Sequence, residues 1–206
     1  MSGATDDVLA ARWAARHPGY EVRGGILGGW LGLMWRLARP LARAGVSPDV
    51  VTFASAGCAV AGLLAPAGAR GPLLVAGSVA DGLDGAVAVL SDRTTAHGTT
   101  LDHAADRVAD LAAAGVLLRA GAPVAVVAPG LAMTALLEFT RSRRAPVVTV
   151  GERPSRVVCG ALGDVAGAVT GRRWPAVVAA VVWDVLAAVA LVQLRAADRA
   201  GRVPPR

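Results

Sequence analysis

Long stretches without a charged residue constrain the fold of this chain most strongly. Residues 50–69 and 120–137 contain no charged side chain, and residues 174–194 contain a single one, Asp184. Each stretch is long enough to cross the ~30 Å hydrocarbon core of a bilayer as an α-helix. The whole chain is only 17% charged, against about 25% in a typical soluble domain. The sequence therefore predicts an all-α, polytopic membrane protein.

Three further apolar segments, residues 72–90, 101–121 and 157–171, carry carboxylates, and with the first three they predict a bundle of six transmembrane helices. All 21 basic residues are arginine. With this topology, sixteen of them fall on one side of the membrane and four on the other. Because positive charge concentrates on the cytoplasmic side, we expect both termini to be cytoplasmic. This distribution also argues against nucleic-acid binding, despite the high pI.

The region before the first span has its own pattern. Residues 1–20 lack the apolar core of a secretory signal peptide. Over residues 26–45, Arg36, Arg39 and Arg43 recur at helical spacing. An apolar face lies opposite to them and consists of Trp30, Leu33, Met34, Leu37 and Leu41. This pattern predicts an amphipathic helix in the cytoplasmic membrane interface, with arginines toward lipid phosphates, or else a helix packed on the protein. The predicted division is an N-terminal region over 1–46, a membrane domain over 47–195 and a cytoplasmic tail over 196–206.

Four carboxylates are the most informative chemical feature. Asp81 and Asp84 share one face of the second predicted span. Asp102 and Asp106, four residues apart, share one face of the third. A short polar connection joins the two spans, so we expect antiparallel neighbours whose carboxylates converge near the cytoplasmic side. Carboxylates at membrane depth are costly unless a cation, a proton or water accompanies them.

A divalent metal is the natural partner of such a cluster, because oxygen ligands select Mg²⁺, Mn²⁺ or Ca²⁺. A two-metal site suits displacement at phosphorus, since it neutralises developing charge and orients the attacking and leaving oxygens. The sequence therefore predicts Mg²⁺ or Mn²⁺, as two ions. Small residues keep the walls of the site open to a bulky phosphate ligand: Gly85, Ala88 and Gly98.

These residues resemble the signature of the CDP-alcohol phosphotransferase (phosphatidyltransferase) family, integral membrane enzymes of phospholipid synthesis. The signature reads D-x-x-D-G-x-x-A-R, then eight residues, then G-x-x-x-D-x-x-x-D. Seven of its eight fixed positions match: Asp81, Asp84, Gly85, Ala88, Gly98, Asp102 and Asp106. The resemblance implies a six-helix, usually homodimeric enzyme that moves a substituted phosphate from a CDP-linked donor to an alcohol and releases CMP. It also implies that Asp81, Asp84 and Asp102 bind metal, and that Asp106 binds metal and acts as the general base.

Further segments extend the resemblance to about residues 47–195. Residues 47–52 are similar to the S/T-P-N-x-L/V-T start of the first span, and residues 139–143 and 151–156 look like basic segments of bacterial phosphatidylinositol-phosphate and related synthases. The implied donor-nucleotide residues are Thr52, Gly85, Ala88 and Gly98. The implied ligands of the acceptor phosphate are Arg141, Arg153, Arg156 and Arg195. The expected substrates in a bacterial cell membrane are CDP-diacylglycerol and a small anionic alcohol, inositol phosphate first and glycerol phosphate second.

One motif position departs from the family. Val89 stands where the signature has arginine, and Arg93 lies one helical turn further on. The departure leaves a second hypothesis open, a catalytically weak or silent member of the family. A third hypothesis, from another class, is a divalent-cation carrier that uses the intramembrane aspartates.

Overall fold

The computed structural model describes residues 25–141 and 149–199, and within these ranges it contains seven helices and no strand. In chain order they are α1 (Gly25–Arg43), α2 (Pro48–Leu64), α3 (Arg70–Ser91), α4 (Ala96–Arg119), α5 (Val124–Arg141), α6 (Arg153–Thr170) and α7 (Trp174–Arg199). The predicted all-α class is confirmed. The predicted tail before residue 25 and most of the predicted C-terminal tail lie outside the described residues.

Several helix boundaries differ from the predicted ones by four or five residues. Two of them, the end of α2 and the start of α5, lie at turns within uncharged stretches. The helix α2 ends at Leu64, several residues before the predicted end, since Pro66 and Gly68 follow it and Gly68 adopts a left-handed φ of +82°. The helix α5 begins only at Val124, because Gly121, at φ +98°, forms the preceding turn. Glycine takes up such a conformation without the steric cost that a side chain adds.

In the part of the chain that the structure describes, three helices are long and apolar enough to cross a membrane: α3, α5 and α7, with mean hydropathies of 1.7, 1.4 and 2.3. The helix α2 is apolar as well but has 17 residues. Large apolar side chains, such as Leu64, Val169 and Val192, are exposed on the outer faces of the helices. Soluble monomers rarely expose extensive apolar surface. The apolar helices therefore indicate a membrane protein.

The described chain forms two compact units. The first contains residues 25–55 and 79–105, and the second contains residues 56–78 and 106–199. In the first unit, α1 and α3 share a small apolar core formed by Met34, Trp35, Ala38, Ala86, Val87 and Val89. The apolar face predicted for α1 is therefore divided. Met34 is buried in this core, whereas Trp30, Leu33 and Leu37 remain exposed.

The core of the second unit is rich in alanine, and both α5 and α6 pack against α7. Gly163 illustrates how close the helices come. A Cβ atom at this position would lie 2.6 Å from Leu117 Cδ2 and 3.2 Å from Ala176 Cα. Small residues allow this approach and the dispersion contacts that hold membrane helices together.

A buried hydrogen bond joins α5 and α7 in this core, where Trp183 Nε1 donates to Thr134 Oγ1 over 2.9 Å. Replacing Thr134 by valine keeps the side-chain shape but leaves the indole N–H without an acceptor. We expect this variant to lose about 1–3 kcal/mol of stability, measured by thermal unfolding in detergent. Thr140→Val is the matched control, because the Thr140 hydroxyl donates to Leu136 O on its own helix and does not join two helices among the described residues. Equal unfolding temperatures for the two variants would contradict the assignment.

The start of α3 is held by Asp164 of α6, which is 1% exposed. Asp164 Oδ2 accepts hydrogen bonds from the backbone N–H groups of Gly68 and Gly71, each over 3.0 Å. Its Oδ1 lies 3.5 Å from Arg70 Nη1. A Cβ atom at Gly71 would lie 2.7 Å from Ala161 O, so α3 and α6 meet backbone to backbone. The N–H groups of a first helical turn have no partner within the helix, and Asp164 supplies one.

Candidate metal centre

Three of the four predicted metal ligands converge in the first unit. Asp81 and Asp84 lie on α3, three residues apart, and Asp102 lies in the second turn of α4. One carboxylate oxygen from each lies within 4.8 Å of the other two. Asp84 is 6% exposed, while Asp81 and Asp102 are half-buried. The sequence prediction that α3 and α4 bring their carboxylates together is confirmed for these residues.

A cavity of about 690 Å³ opens beside the three carboxylates, also within the first unit. This volume lies in the range of ordinary small-molecule sites. Its lining carries the carboxylates of Asp49, Asp81, Asp84 and Asp102, with the guanidinium of Arg93 as its single arginine within the described ranges. The lining is therefore strongly anionic and suits a cation.

One threonine orients the Asp84 carboxylate of this cluster, and a second threonine caps the helix that carries Asp102. Thr52 Oγ1 donates to Asp84 Oδ2 over 2.5 Å, and both side chains are buried. Thr95 Oγ1 accepts a hydrogen bond from the Gly98 N–H over 3.0 Å and so caps the start of α4, as threonine commonly does at helix starts. Carboxylates held by such hydrogen bonds keep the geometry that a metal ion requires.

The four predicted nucleotide residues, Thr52, Gly85, Ala88 and Gly98, all line the cavity. A Cβ atom at Gly85 would meet nothing within 4 Å, whereas one at Gly98 would lie 3.3 Å from Thr95 Oγ1 and 3.6 Å from Asp49 Oδ1. The wall is thus open at Gly85, where a ligand can reach the backbone. Nucleotide contact by these residues remains a prediction.

Asp106 follows Asp102 by one turn on α4 and belongs to the second unit. There it forms an ion pair with Arg153 of α6, and its Oδ2 lies 4.0 Å from Arg107 Nη2. The structure therefore places the predicted general base in contact with one of the predicted acceptor arginines. The roles of Asp106 in metal binding and in catalysis remain predictions.

The predicted acceptor arginines of the second unit lie in an ionic network. Arg156 Nε lies 3.2 Å from Asp110 Oδ1, and its Nη1 lies 3.2 Å from Glu138 Oε1. Arg141 Nη2 lies 2.5 Å from Glu152 Oε1. Among the residues that the structure describes, the network contains four guanidiniums and four carboxylates, from Arg107, Arg141, Arg153, Arg156, Asp106, Asp110, Glu138 and Glu152. The fourth predicted arginine, Arg195, is exposed near the end of α7.

The sequence analysis missed several residues of these sites. Glu138 contacts three arginines of the network. A carboxylate near the end of an apolar helix needs a partner, and this signal could have identified it. Trp35 lines the cavity with Trp30 and Met34. Their position on α1, outside the motif, gave no signal of a role in the site.

The three clustered carboxylates fit a hard divalent cation. They offer oxygen ligands only, and the short span between these oxygens allows them to share one ion or a pair of ions. Oxygen-only ligation favours Mg²⁺, Mn²⁺ or Ca²⁺ over zinc.

Comparison with known proteins finds no family model and no curated protein that matches the chain. The resemblance to the phosphotransferase family therefore remains a prediction from the sequence, with its most specific part in the seven motif positions between Asp81 and Asp106.

Proposed function

We propose that this chain is a metal-dependent CDP-alcohol phosphatidyltransferase, which transfers a phosphatidyl group from CDP-diacylglycerol to a polar, anionic alcohol and releases CMP. The convergence of Asp81, Asp84 and Asp102 within 4.8 Å beside an open cavity carries this proposal. Three clustered carboxylates without a cation are costly near a membrane. A carboxylate cage for divalent ions is a common device of phosphoryl transfer.

Asp81, Asp84 and Asp102 would hold the metal, as Mg²⁺ or Mn²⁺, with Asp106 as the ligand next along α4. When bound, two such ions supply positive charge that stabilises the attacking and leaving oxygens of an in-line displacement. The protein itself orients the Asp84 carboxylate through Thr52 and leaves the wall open at Gly85.

The proposed reaction transfers the phosphatidyl group to the acceptor hydroxyl and releases CMP. The acceptor hydroxyl gives its proton to the Asp106 carboxylate, and its oxygen attacks the β-phosphorus of the donor. The bond from that phosphorus to the oxygen bridging the two phosphates breaks, and the bridging oxygen leaves on CMP with the electron pair. The new phosphodiester joins the diacylglycerol phosphate to the acceptor.

The position of Arg153 favours an acceptor that carries a negative charge, because Arg153 contacts Asp106 directly. A phosphate bound by Arg153 would therefore lie beside the base, and guanidinium groups bind phosphate well. Arg153 is already paired with the Asp106 carboxylate. Binding of the acceptor phosphate by Arg153 would therefore compete with this carboxylate. Inositol phosphate is the favoured acceptor, and glycerol phosphate is the second.

The proposed arrangement in a bacterial cell membrane has α2–α7 as six spans, both termini cytoplasmic and two chains in a homodimer. Although α4 and α6 carry several charges, ion pairs neutralise many of them, including Asp106 with Arg153 and Asp164 with Arg70. Paired charges of this kind are tolerated within membrane bundles.

The helix α1 would lie in the cytoplasmic interface of the membrane. Its exposed apolar side chains, Trp30, Leu33 and Leu37, are suited to the acyl-chain boundary. Arg36 and Arg43 are also exposed and would reach lipid phosphates, as in other interfacial helices. The buried side of α1 packs on α3 within the first unit.

The decisive experiment uses purified protein in nanodiscs with CDP-diacylglycerol, Mg²⁺ or Mn²⁺, and a panel of acceptors. We expect CMP release that requires both a metal and an acceptor, fastest with inositol phosphate. Absence of release with every acceptor contradicts the enzyme proposal. Metal flux into proteoliposomes without any CDP-lipid would instead favour the cation carrier.

The silent-homologue alternative depends on Val89, which is 5% exposed and buried in the core shared by α1 and α3. Arg93 lines the cavity and can supply the positive charge that position 89 lacks. We expect Arg93→Gln to lower CMP release by about tenfold to a hundredfold, as loss of a charge-assisted hydrogen bond does. Val89 also lines the cavity, but its side chain is packed in the core. We expect Val89→Arg to give no gain, because a guanidinium at this position would disturb the core and Arg93 already supplies a positive charge to the cavity. An inactive wild-type protein that Val89→Arg activates would support the alternative.

A further inference from the structure

The turn between α6 and α7 carries two adjacent arginines. Arg172 and Arg173 are both exposed, and among the described residues neither guanidinium has an ion-pair or hydrogen-bond partner. The backbone of the turn is closely packed. Gly171 ends α6 with a left-handed φ of +65°, and a Cβ atom at Gly121 would lie 2.8 Å from Arg173 Cβ. The two guanidiniums are therefore attached to a well-defined turn at one end of the second unit.

This end of the second unit exposes only positive charge among the described residues. Its turns are residues 65–69, 120–123 and 171–173, and they contain no carboxylate. Arg119, at the end of α4, adds a third exposed guanidinium, whereas Asp164 is buried in its ion pair. In the proposed topology this end is the outer one, where arginine is normally scarce. The exposed guanidiniums complement an anion, and such groups bind phosphate well.

An exposed apolar face of α7 begins directly after these arginines. Trp174 follows Arg173 and is 54% exposed. Further exposed residues recur at helical spacing on the same face of α7: Val178, Val182, Val185, Val189 and Val192. Tryptophan is enriched at the boundary between lipid headgroups and acyl chains. Along this surface, two cations are followed by an aromatic ring and then by an apolar face, which is the order that complements a phospholipid from its phosphate to its chains.

We infer that the α6–α7 turn and the adjoining face of α7 bind an anionic phospholipid, with the guanidiniums of Arg172 and Arg173 on its phosphate and Trp174 beside its acyl chains. The inference is independent of the proposed function, because the ion pair of Asp106 and Arg153 lies toward the other ends of α4 and α6. A zwitterionic phospholipid also has a phosphate, but its own cation would lie near the guanidiniums. An anionic headgroup lacks this repulsion, so the site should prefer it.

The test is a competition between two lipids with identical acyl chains. Protein in a neutral detergent is mixed with equal amounts of phosphatidylglycerol and phosphatidylcholine, and native mass spectrometry counts the lipid that each chain retains. We expect wild type to retain phosphatidylglycerol preferentially, and Arg172→Gln and Arg173→Gln each to bind it about fivefold more weakly. Arg199→Gln is the matched control, since it removes one exposed arginine at the other end of α7. It should keep the wild-type preference.

A second measurement locates the lipid. Bromine atoms on acyl chains quench tryptophan fluorescence over short distances, and the chain has five tryptophans. Phosphatidylglycerol with brominated chains should quench a smaller fraction of the fluorescence of Trp174→Phe than of wild type. Because Trp174 is exposed, phenylalanine at this position should leave the fold intact. Equal fractional quenching of the two proteins would show that the lipid lies elsewhere.

Four further results would overturn the inference. The first is equal retention of the two lipids by wild type, and the second is unchanged retention of phosphatidylglycerol by both turn variants. The third is a loss in Arg199→Gln as large as in the turn variants, which would mean that net charge alone attracts the lipid. The fourth is protection against thermal unfolding by inorganic phosphate as strong as that by phosphatidylglycerol, which would assign the arginines to a soluble anion.

The same mass measurement reports whether a second copy of the chain covers the apolar face of α7 instead. Val185→Trp enlarges an exposed side chain in the middle of this face. We expect the variant to keep the oligomeric state of wild type, because acyl chains adapt to a larger side chain. If wild type retains no lipid and Val185→Trp dissociates a dimer, the face is an interface between two copies and the lipid site is wrong.

Discussion

Asp102→Asn is expected to reduce metal-dependent CMP release by about a thousandfold or more while the protein stays folded and membrane-integrated. The carboxylate of Asp102 is one of the three whose oxygens lie within 4.8 Å. An amide keeps the size of the side chain but removes the negative charge that attracts a divalent ion. Metal ions contribute several kcal/mol to transition states at phosphorus, and each ~1.4 kcal/mol corresponds to a factor of ten in rate.

Two measurements distinguish loss of metal from loss of fold. Binding of Mn²⁺, followed by electron paramagnetic resonance, should weaken strongly in Asp102→Asn, while the unfolding temperature changes little because Asp102 is only half-buried. Asp198→Asn removes a carboxylate near the end of α7, outside the cavity lining, and should leave both binding and turnover unchanged. Full activity of Asp102→Asn would remove the basis of the proposed enzyme.

The carboxylate cluster could be predicted from the sequence because it depends on short-range spacing. Asp81 and Asp84 share a face of any regular helix, and a short connection brings Asp102 of the next helix near them. Helical periodicity and loop length therefore determine most of this geometry. The end of α2 and the start of α5 could not be predicted from hydropathy, because the glycines and prolines of the adjoining turns are themselves uncharged.

The partners of the arginines could not be predicted, because they depend on how each helix is rotated about its own axis. Arg156 contacts Glu138 of α5 and Asp110 of α4, and neither lies near it in the sequence. The sequence predicted that four arginines bind the acceptor phosphate. In the structure, three of these arginines form ion pairs with carboxylates. The rotation of α1 about its own axis also decides which of its apolar residues are exposed. Met34 is buried in the core, whereas Leu33 and Leu37 are exposed.

The paired state of these arginines bears on how an acceptor would bind. Arg153 already has a carboxylate partner in Asp106, so a phosphate must compete with that carboxylate. Binding of metal near Asp106 would weaken the competition, because a divalent cation draws the carboxylate away from the guanidinium. In the proposed mechanism, metal binding therefore makes Arg153 available to the acceptor phosphate at the same time as it separates Asp106, the proposed base, from Arg153.

The second large effect is expected at the other end of α3, where Asp164→Ala should destabilise the protein by about 3–5 kcal/mol, the usual cost of removing one partner of a buried ion pair. Asp164 has two kinds of partner at the start of α3, a guanidinium and two backbone N–H groups. The substitution leaves the Arg70 guanidinium, itself buried, without its carboxylate. It also removes the acceptor that Asp164 provides for the N–H groups of Gly68 and Gly71.

A graded series separates these contributions. Asp164→Asn keeps an oxygen that can accept from the two N–H groups but removes the charge, so its loss of stability should lie between wild type and Asp164→Ala. Arg70→Gln leaves the carboxylate with its two backbone donors and should cost less than Asp164→Ala. Unfolding temperatures and protease resistance in the same detergent give the order, with Asp198→Asn as a control for loss of a carboxylate elsewhere.

The expected order of stability follows from how many groups each variant leaves without a partner. Asp164→Ala leaves two backbone donors without their acceptor and a buried guanidinium without its carboxylate, although Arg70 Nε still donates to Ala65 O. Asp164→Asn removes only the charge that faces the guanidinium, and Arg70→Gln leaves a carboxylate that still accepts two hydrogen bonds. Because an unpaired group costs more than a pair contributes, the alanine variant must be the least stable. If it unfolds at the wild-type temperature, Asp164 does not hold the start of α3. Asp164 would then be a buried carboxylate with some other role.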